Sequence, residues 1–184
     1  MNTGDTTRDL LYQSNHDAIY ASLDRISNWM IYGHLSFKDE FQGNEKERLK
    51  KFHLLMRDLA KRFTGRRDLQ SIGWFLKQEG SPHGKRFHFH FALTSDNLTR
   101  TSEVVCRYLI CRYLTRQWNK IGKSVCEIVP WDSSKTPLGI WYLTQNEESP
   151  LHHSRYFHGE FCHWKMSTLL HTTILRNANQ KETQ

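Results

Sequence analysis

Two histidines alternate with three phenylalanines in Lys85-Arg86-Phe87-His88-Phe89-His90-Phe91-Ala92-Leu93. Successive side chains of a β-strand point to opposite faces, so this spacing predicts Phe87, Phe89 and Phe91 on one side and His88 and His90 on the other. The phenylalanine side can seat in a core. The histidine side would hold two imidazoles together on a rigid strand, a geometry suited to sharing one metal ion. Glu79 lies nine residues before His88, across an expected hairpin, which puts an acidic residue on the strand paired with the histidines. Gln78 replaces it if the strand register shifts by one.

The elements that must position these residues follow from periodicity. Trp29 to Phe37 alternates as a strand, with Ile31, Gly33, Leu35 and Phe37 opposed to Met30, Tyr32, His34 and Ser36. Asn44 with Glu47 resembles a capping box, and Leu49, Phe52, Met56, Leu59 and Phe63 recur at helical spacing until Gly65 stops the helix. A second strand, about Leu69 to Lys77, leads through Gly80-Ser81-Pro82-His83-Gly84 into the histidine strand, which predicts a hairpin with a wide tip. A second long helix is expected over about Ser102 to Lys120, carrying Arg112, Arg116 and Lys120 as a basic ridge that reads equally as a solvated face or a nucleic-acid contact. Ser124 to Pro130 predicts a fourth strand, closed by the turn Trp131-Asp132-Ser133-Ser134. A short helix over Pro137 to about Glu148 would carry Trp141, Tyr142 and Gln145. Shorter helices are expected at Ala18 to Ile26 and near Met166 to Leu175. The order predicts an α+β fold: a central antiparallel sheet with helices, of the split βαβ (ferredoxin/RRM-like) kind.

The chain has 184 residues, 38% of them hydrophobic, which is enough for a real core. Its net charge of +7 fits a polyanionic partner. No apolar run is long enough for a membrane span, and the polar start, Met1 to Asp9, lacks a signal-peptide core, so no membrane partner and a cytoplasmic location are expected. Cys106, Cys111, Cys126 and Cys162 form no CxxC pair and read as buried, reduced thiols. The cluster His152, His153, His158, Cys162 and His163 has no zinc-finger spacing and reads as a polar surface or DNA-facing segment. Neither Gly80 to Arg86 nor Gly122-Lys123-Ser124 has the spacing of a phosphate-binding loop.

With Phe87-His88-Phe89-His90-Phe91, an apolar strand upstream and a tyrosine in an expected helix downstream, the sequence resembles the HUH endonuclease superfamily, in particular its rolling-circle replication initiators. The resemblance runs from about Trp29 to Gln145, and Val129 to Gln145 looks like the family's tyrosine motif. It implies an HUH endonuclease domain at 28–150, flanked by an N-terminal extension at 1–27 and a C-terminal extension with a disordered tail at 151–184. It implies metal-dependent nicking and rejoining of single-stranded or hairpin DNA, with Mg²⁺ or Mn²⁺ held by His88, His90 and Glu79 and with Tyr142 as nucleophile. Lys85 and Arg86 would grip the DNA backbone, Trp74, Trp131 and Trp141 are candidates for stacking on bases, and a host helicase would separate strands. The family's initiators carry a lysine three residues after the tyrosine, where this chain has Gln145. That departure keeps open a single-tyrosine transposase, in which Gln145 would be a metal ligand, and a DNA-binding protein of the same fold without nicking activity.

Overall fold

In the computed structural model, residues 17, 19–37, 45–65, 72–80, 87–95, 103–121, 126–135, 139–140, 143–144 and 164–179 are described. A short helix α1 occupies 17 and 19–24. It is followed by β1 (Trp29–Ser36), α2 (Glu45–Thr64), β2 (Gly73–Glu79), β3 (His88–Thr94), α3 (Glu103–Ile121), β4 (Cys126–Pro130), β5 (Trp164–Met166) and α4 (Thr168–Asn179). A 3₁₀ turn at Ser133–Lys135 follows β4.

The strands form a single antiparallel sheet in the order β4-β1-β3-β2-β5. The first four strands, with α2 and α3 as crossovers, give the βαββαβ arrangement of the ferredoxin-like α+β fold. The histidine strand β3 is its centre, hydrogen-bonded to β1 on one side and β2 on the other.

Both long helices cover the phenylalanine face. α2 buries Phe52, Leu55, Met56, Leu59 and Ala60 at helical spacing, with Glu45 and Glu47 in its first turn and Lys61 and Arg62 in its last, as the helix dipole favours. It ends at Gly65, whose φ of 75° is the left-handed conformation that glycine adopts without a Cβ penalty. α3 contributes Cys106, Ile110, Cys111, Leu114 and Trp118 to the same core. Phe37, Phe52, Phe89 and Phe91 meet there edge to face, with ring centres 4.9 to 5.9 Å apart. Each fully buried phenylalanine contributes about 2–3 kcal/mol through removal of its apolar surface from water. Trp118 Nε1 donates to the Ser36 carbonyl at 3.2 Å, which ties α3 to the end of β1.

The opposite face is divided. One half carries a second apolar core, with Trp29, Phe75, Ala92 and Trp131 of the sheet side packed against Leu23 and Ile26, Ile140 and Leu143, and Leu170 of α4. The other half is polar. A bulge in β1 between Trp29 and Ile31 supplies the extra residue that sends Met30 into the helix-covered core while Trp29 enters the second one.

Several boundaries differ from the sequence expectations. β2 continues past Lys77 to Glu79, because Gln78 and Glu79 both find partners across to β3. The expected C-terminal extension supplies β5, a strand whose three residues carry no periodicity to reveal it, and α4. Ser167 fixes this segment: its Oγ accepts from the Trp74 backbone N–H at 3.0 Å and its own N–H donates to the Trp74 carbonyl at 2.9 Å. Two of the proposed stacking aromatics serve the cores instead. Trp74 packs beside Phe52 and Trp131 beside Trp29, and both are buried because they lie on sheet-facing positions. Cys106 and Cys111 are buried free thiols as expected, and burial pushes Cys111 up to about 12. Among the described residues, no helix is long and apolar enough to cross a membrane.

Gly33 in β1 faces Phe91 so closely that a Cβ there would lie 2.2 Å from the ring. Gly33→Ala should therefore destabilise the protein by about 1–3 kcal/mol through overpacking of a ring that has no space to retreat. Chemical denaturation of the two proteins checks this, and equal midpoints would show that the core yields at that point.

Candidate metal centre on the histidine face

The polar half of the second face is built by register. His34 on β1 is paired with His90 on β3, which is paired in turn with Lys77 on β2. Ser36 and Glu79 flank His88 in the same way. Because side chains alternate, His34, His88, His90, Lys77 and Glu79 all project from one side of three adjacent strands.

The imidazoles form a compact trio. The rings of His34 and His90 stack with centres 4.9 Å apart, and His88 stands edge-on to both at 5.0 and 4.9 Å. One nitrogen from each ring can be chosen so that all three lie within 4.8 Å of one another. Glu79 lies against two of the three: its Oε2 is 3.0 Å from His88 Nε2 and 3.2 Å from His90 Nε2. Its other oxygen, Oε1, forms an ion pair with Lys77 Nζ, and the Lys77 side chain is completely buried. The Tyr32 hydroxyl hydrogen-bonds Nδ1 of His90 at 2.9 Å, so the other nitrogen of that ring turns toward the cluster.

This geometry accommodates a cation. Ligands about 2.1 Å from a six-coordinate ion lie about 3 Å apart along an edge of the octahedron. The separations of Glu79 Oε2 from the two histidine nitrogens have that size. Three imidazoles and a carboxylate also form a donor set that first-row divalent ions accept.

The electrostatics keep the His34 imidazole neutral and the Glu79 carboxylate charged. Burial, and then the neighbouring His90 and His88, lower the His34 pKa from 6.5 to about 4, while Glu79 opposes the shift. For Glu79, burial acts upward. Hydrogen bonds from His88 and His90 and the charge and hydrogen bond of Lys77 outweigh it, and hold the carboxyl well below the usual range.

Of the residues expected from the sequence, the structure brings His88, His90 and Glu79 together. Gln78 is excluded as the alternative, since it points to the other face, where its Oε1 accepts from Arg48 Nε at 3.1 Å. Tyr142, Lys85, Arg86, Gln145, Trp141 and the segment with His152, His153, His158, Cys162 and His163 lie outside the described residues, as does Asn44 of the expected capping box. The segment around Tyr142 does have described members. Ile140 and Leu143 are helical and buried in the second core with Phe75 and Ala92, each two residues from a member of the polar cluster on its own strand. Arg112, Arg116 and Lys120 are exposed along α3, on the side of the sheet away from the histidines.

Sequence reasoning missed His34, Lys77 and Tyr32. The signal for His34 and Tyr32 was present, because β1 alternates and both fall on its non-core phase; the pairing that sets them beside His90 required the strand order. No protein-family model, curated protein or solved structure matches the chain.

The cluster makes stability fall in acid. The folded pKa of His34 lies below its unfolded value, so its contribution is complete above about pH 6.5 and is lost as pH falls toward 4. Glu79, also depressed, loses its contribution at still lower pH. Urea denaturation of chelator-treated protein between pH 7.5 and 4.5 should show this decline, and His34→Gln should flatten it. A profile unchanged by that substitution would place the sensitivity elsewhere. Glu79→Gln should cost about 3–5 kcal/mol, because it removes the carboxylate charge paired with the buried Lys77 ammonium; a loss under 1 kcal/mol in the same assay would contradict that.

Proposed function

We propose that the protein is a metal-dependent endonuclease and strand transferase that nicks and rejoins single-stranded DNA through a 5′-phosphotyrosine. The observation that carries the reading is the convergence of His88, His90 and Glu79 on one face of the central strands, a site able to hold a cation against a phosphate. The resemblance to the HUH endonuclease superfamily supplies the reaction, and the positive net charge suits the polyanionic substrate.

In this reading Tyr142 is the nucleophile. Its phenol oxygen, a weak nucleophile while protonated with a pKa near ~10, gives up its proton to solvent and forms a bond to the scissile phosphorus. The bond from phosphorus to the 3′ oxygen breaks, and the strand leaves as a 3′ hydroxyl after taking up a proton. The tyrosyl ester retains the bond for rejoining when a 3′ hydroxyl attacks in the reverse sense. The bound cation, Mg²⁺ or Mn²⁺, would withdraw charge from the nonbridging phosphate oxygens. Tyr32 orients His90, and Lys77 fixes the Glu79 carboxylate. Lys85 and Arg86, which precede the histidine strand in the sequence, would hold the DNA backbone. The biological setting would be initiation of rolling-circle replication of a plasmid, phage or related mobile element in the cytoplasm, with a host helicase opening the duplex.

The test is a covalent adduct. Incubation with Mn²⁺ and a randomised pool of fluorescent single-stranded hairpins should give a protein–DNA band stable in detergent. Tyr142→Phe should abolish that band, and His88→Ala should reduce it by about 100-fold or more. A band that persists in Tyr142→Phe would remove the nucleophile assignment. Tight hairpin binding by a folded protein that never cleaves would instead indicate a DNA-binding protein of this fold.

A further inference from the structure

We infer that the cation site is a three-nitrogen centre, with His34 of β1 as its third imidazole ligand, and that its resident is a divalent transition ion rather than Mg²⁺. This deepens the reading above by naming the class of ion for the same site, and its ligand assignment stands on the geometry alone.

Three observations converge. His34 is the partner of His90 in the strand register, stacked on it and edge-on to His88, so a nitrogen of His34 reaches the same small volume as theirs. Tyr32 occupies Nδ1 of His90, which leaves Nε2 of that ring to face the cluster, beside Nε2 of His88. Lys77, with no solvent exposure, is in contact with Oε1 of Glu79, so the carboxylate that meets His88 and His90 already carries a countercharge.

The last point decides the class of ion. Mg²⁺ is a hard cation that favours oxygen ligands in near-ideal octahedral order and draws its affinity from negative charge. Here Glu79 and Lys77 sum to zero, and the remaining donors are neutral nitrogens. A single oxygen, Oε2, remains to Mg²⁺. Divalent manganese, cobalt, nickel and zinc gain from imidazole donation, increasingly along that series as far as nickel, and depend less on net charge. Lys77 is thus the specificity-determining residue: it selects against hard ions by neutralising Glu79, the carboxylate in contact with His88 and His90.

Metal binding to the full chain, read without DNA, tests this. Co²⁺ titration should produce the visible absorption bands of nitrogen-ligated cobalt, and calorimetry should give one site per chain. Mg²⁺ at roughly a thousand-fold excess should leave those bands intact, whereas equimolar Zn²⁺ should remove them. His34→Ala should weaken Co²⁺ binding at least ~10-fold. Lys77→Met, checked for folding by circular dichroism, should let Mg²⁺ compete at about 10-fold lower concentration. Displacement of Co²⁺ by Mg²⁺ from the unaltered protein at comparable concentrations, or full Co²⁺ affinity in His34→Ala, would overturn the inference. The two readings separate cleanly. Metal binding as described without any phosphotyrosine band removes the nicking reaction and keeps the centre. A band supported by Mg²⁺ alone and undiminished in His34→Ala removes the three-nitrogen centre and keeps the nicking.

Discussion

A carboxylate taken out of water needs donors to replace the solvent, and Glu79 has them on both oxygens: Lys77 on one, His88 and His90 on the other. The polar half of the sheet depends on that arrangement. Without the carboxylate, the buried Lys77 would lose the charge it pairs with and two imidazoles would lose the group that aligns them. Without Lys77, burial would press Glu79 toward its neutral form. The strands on either side reinforce the same geometry, since β1 adds His34 and Tyr32 from positions already set by the pleat.

The sheet therefore serves two solvents at once. Its helix-covered face is largely apolar, with Phe52 of α2 lodged between Phe89 and Phe91. Its other face changes from apolar to ionisable within two residues along each strand, from Ala92 to His90, from Phe75 to Lys77 and from Tyr32 to His34. Rigid backbone on one side makes a precise polar constellation affordable on the other, because no ligand sits on a loop among those described.

How much of this was legible in the sequence varied with the range of the interaction. Period-two alternation revealed β1 and β3, and period 3.6 revealed α2 and α3, because each pattern is local. Glu79 was legible as a partner of His88, because a hairpin ties sequence distance to register. Lys77 was not, since a lysine in a strand reads as a solvent-facing residue and its burial depends on pairing with Glu79. His34 and Tyr32 needed the strand order, which brings together residues more than fifty positions apart. Trp74 and Trp131 read as surfaces for bases because composition does not say which face of a strand is covered. β5 is three residues long, too short for any pattern, and is defined by β2 alone.

That small strand has a consequence for synthesis. β2 carries Lys77 and Glu79, and its outer edge is covered by residues 164–166, which are made long after it. The growing chain can pair β2 with β3 early, since only a hairpin separates them. Its other edge stays open until residues 164–166 have left the ribosome as well. An open strand edge is a template for unwanted pairing with other chains, so the interval before β5 docks is when a nascent molecule is most exposed to aggregation.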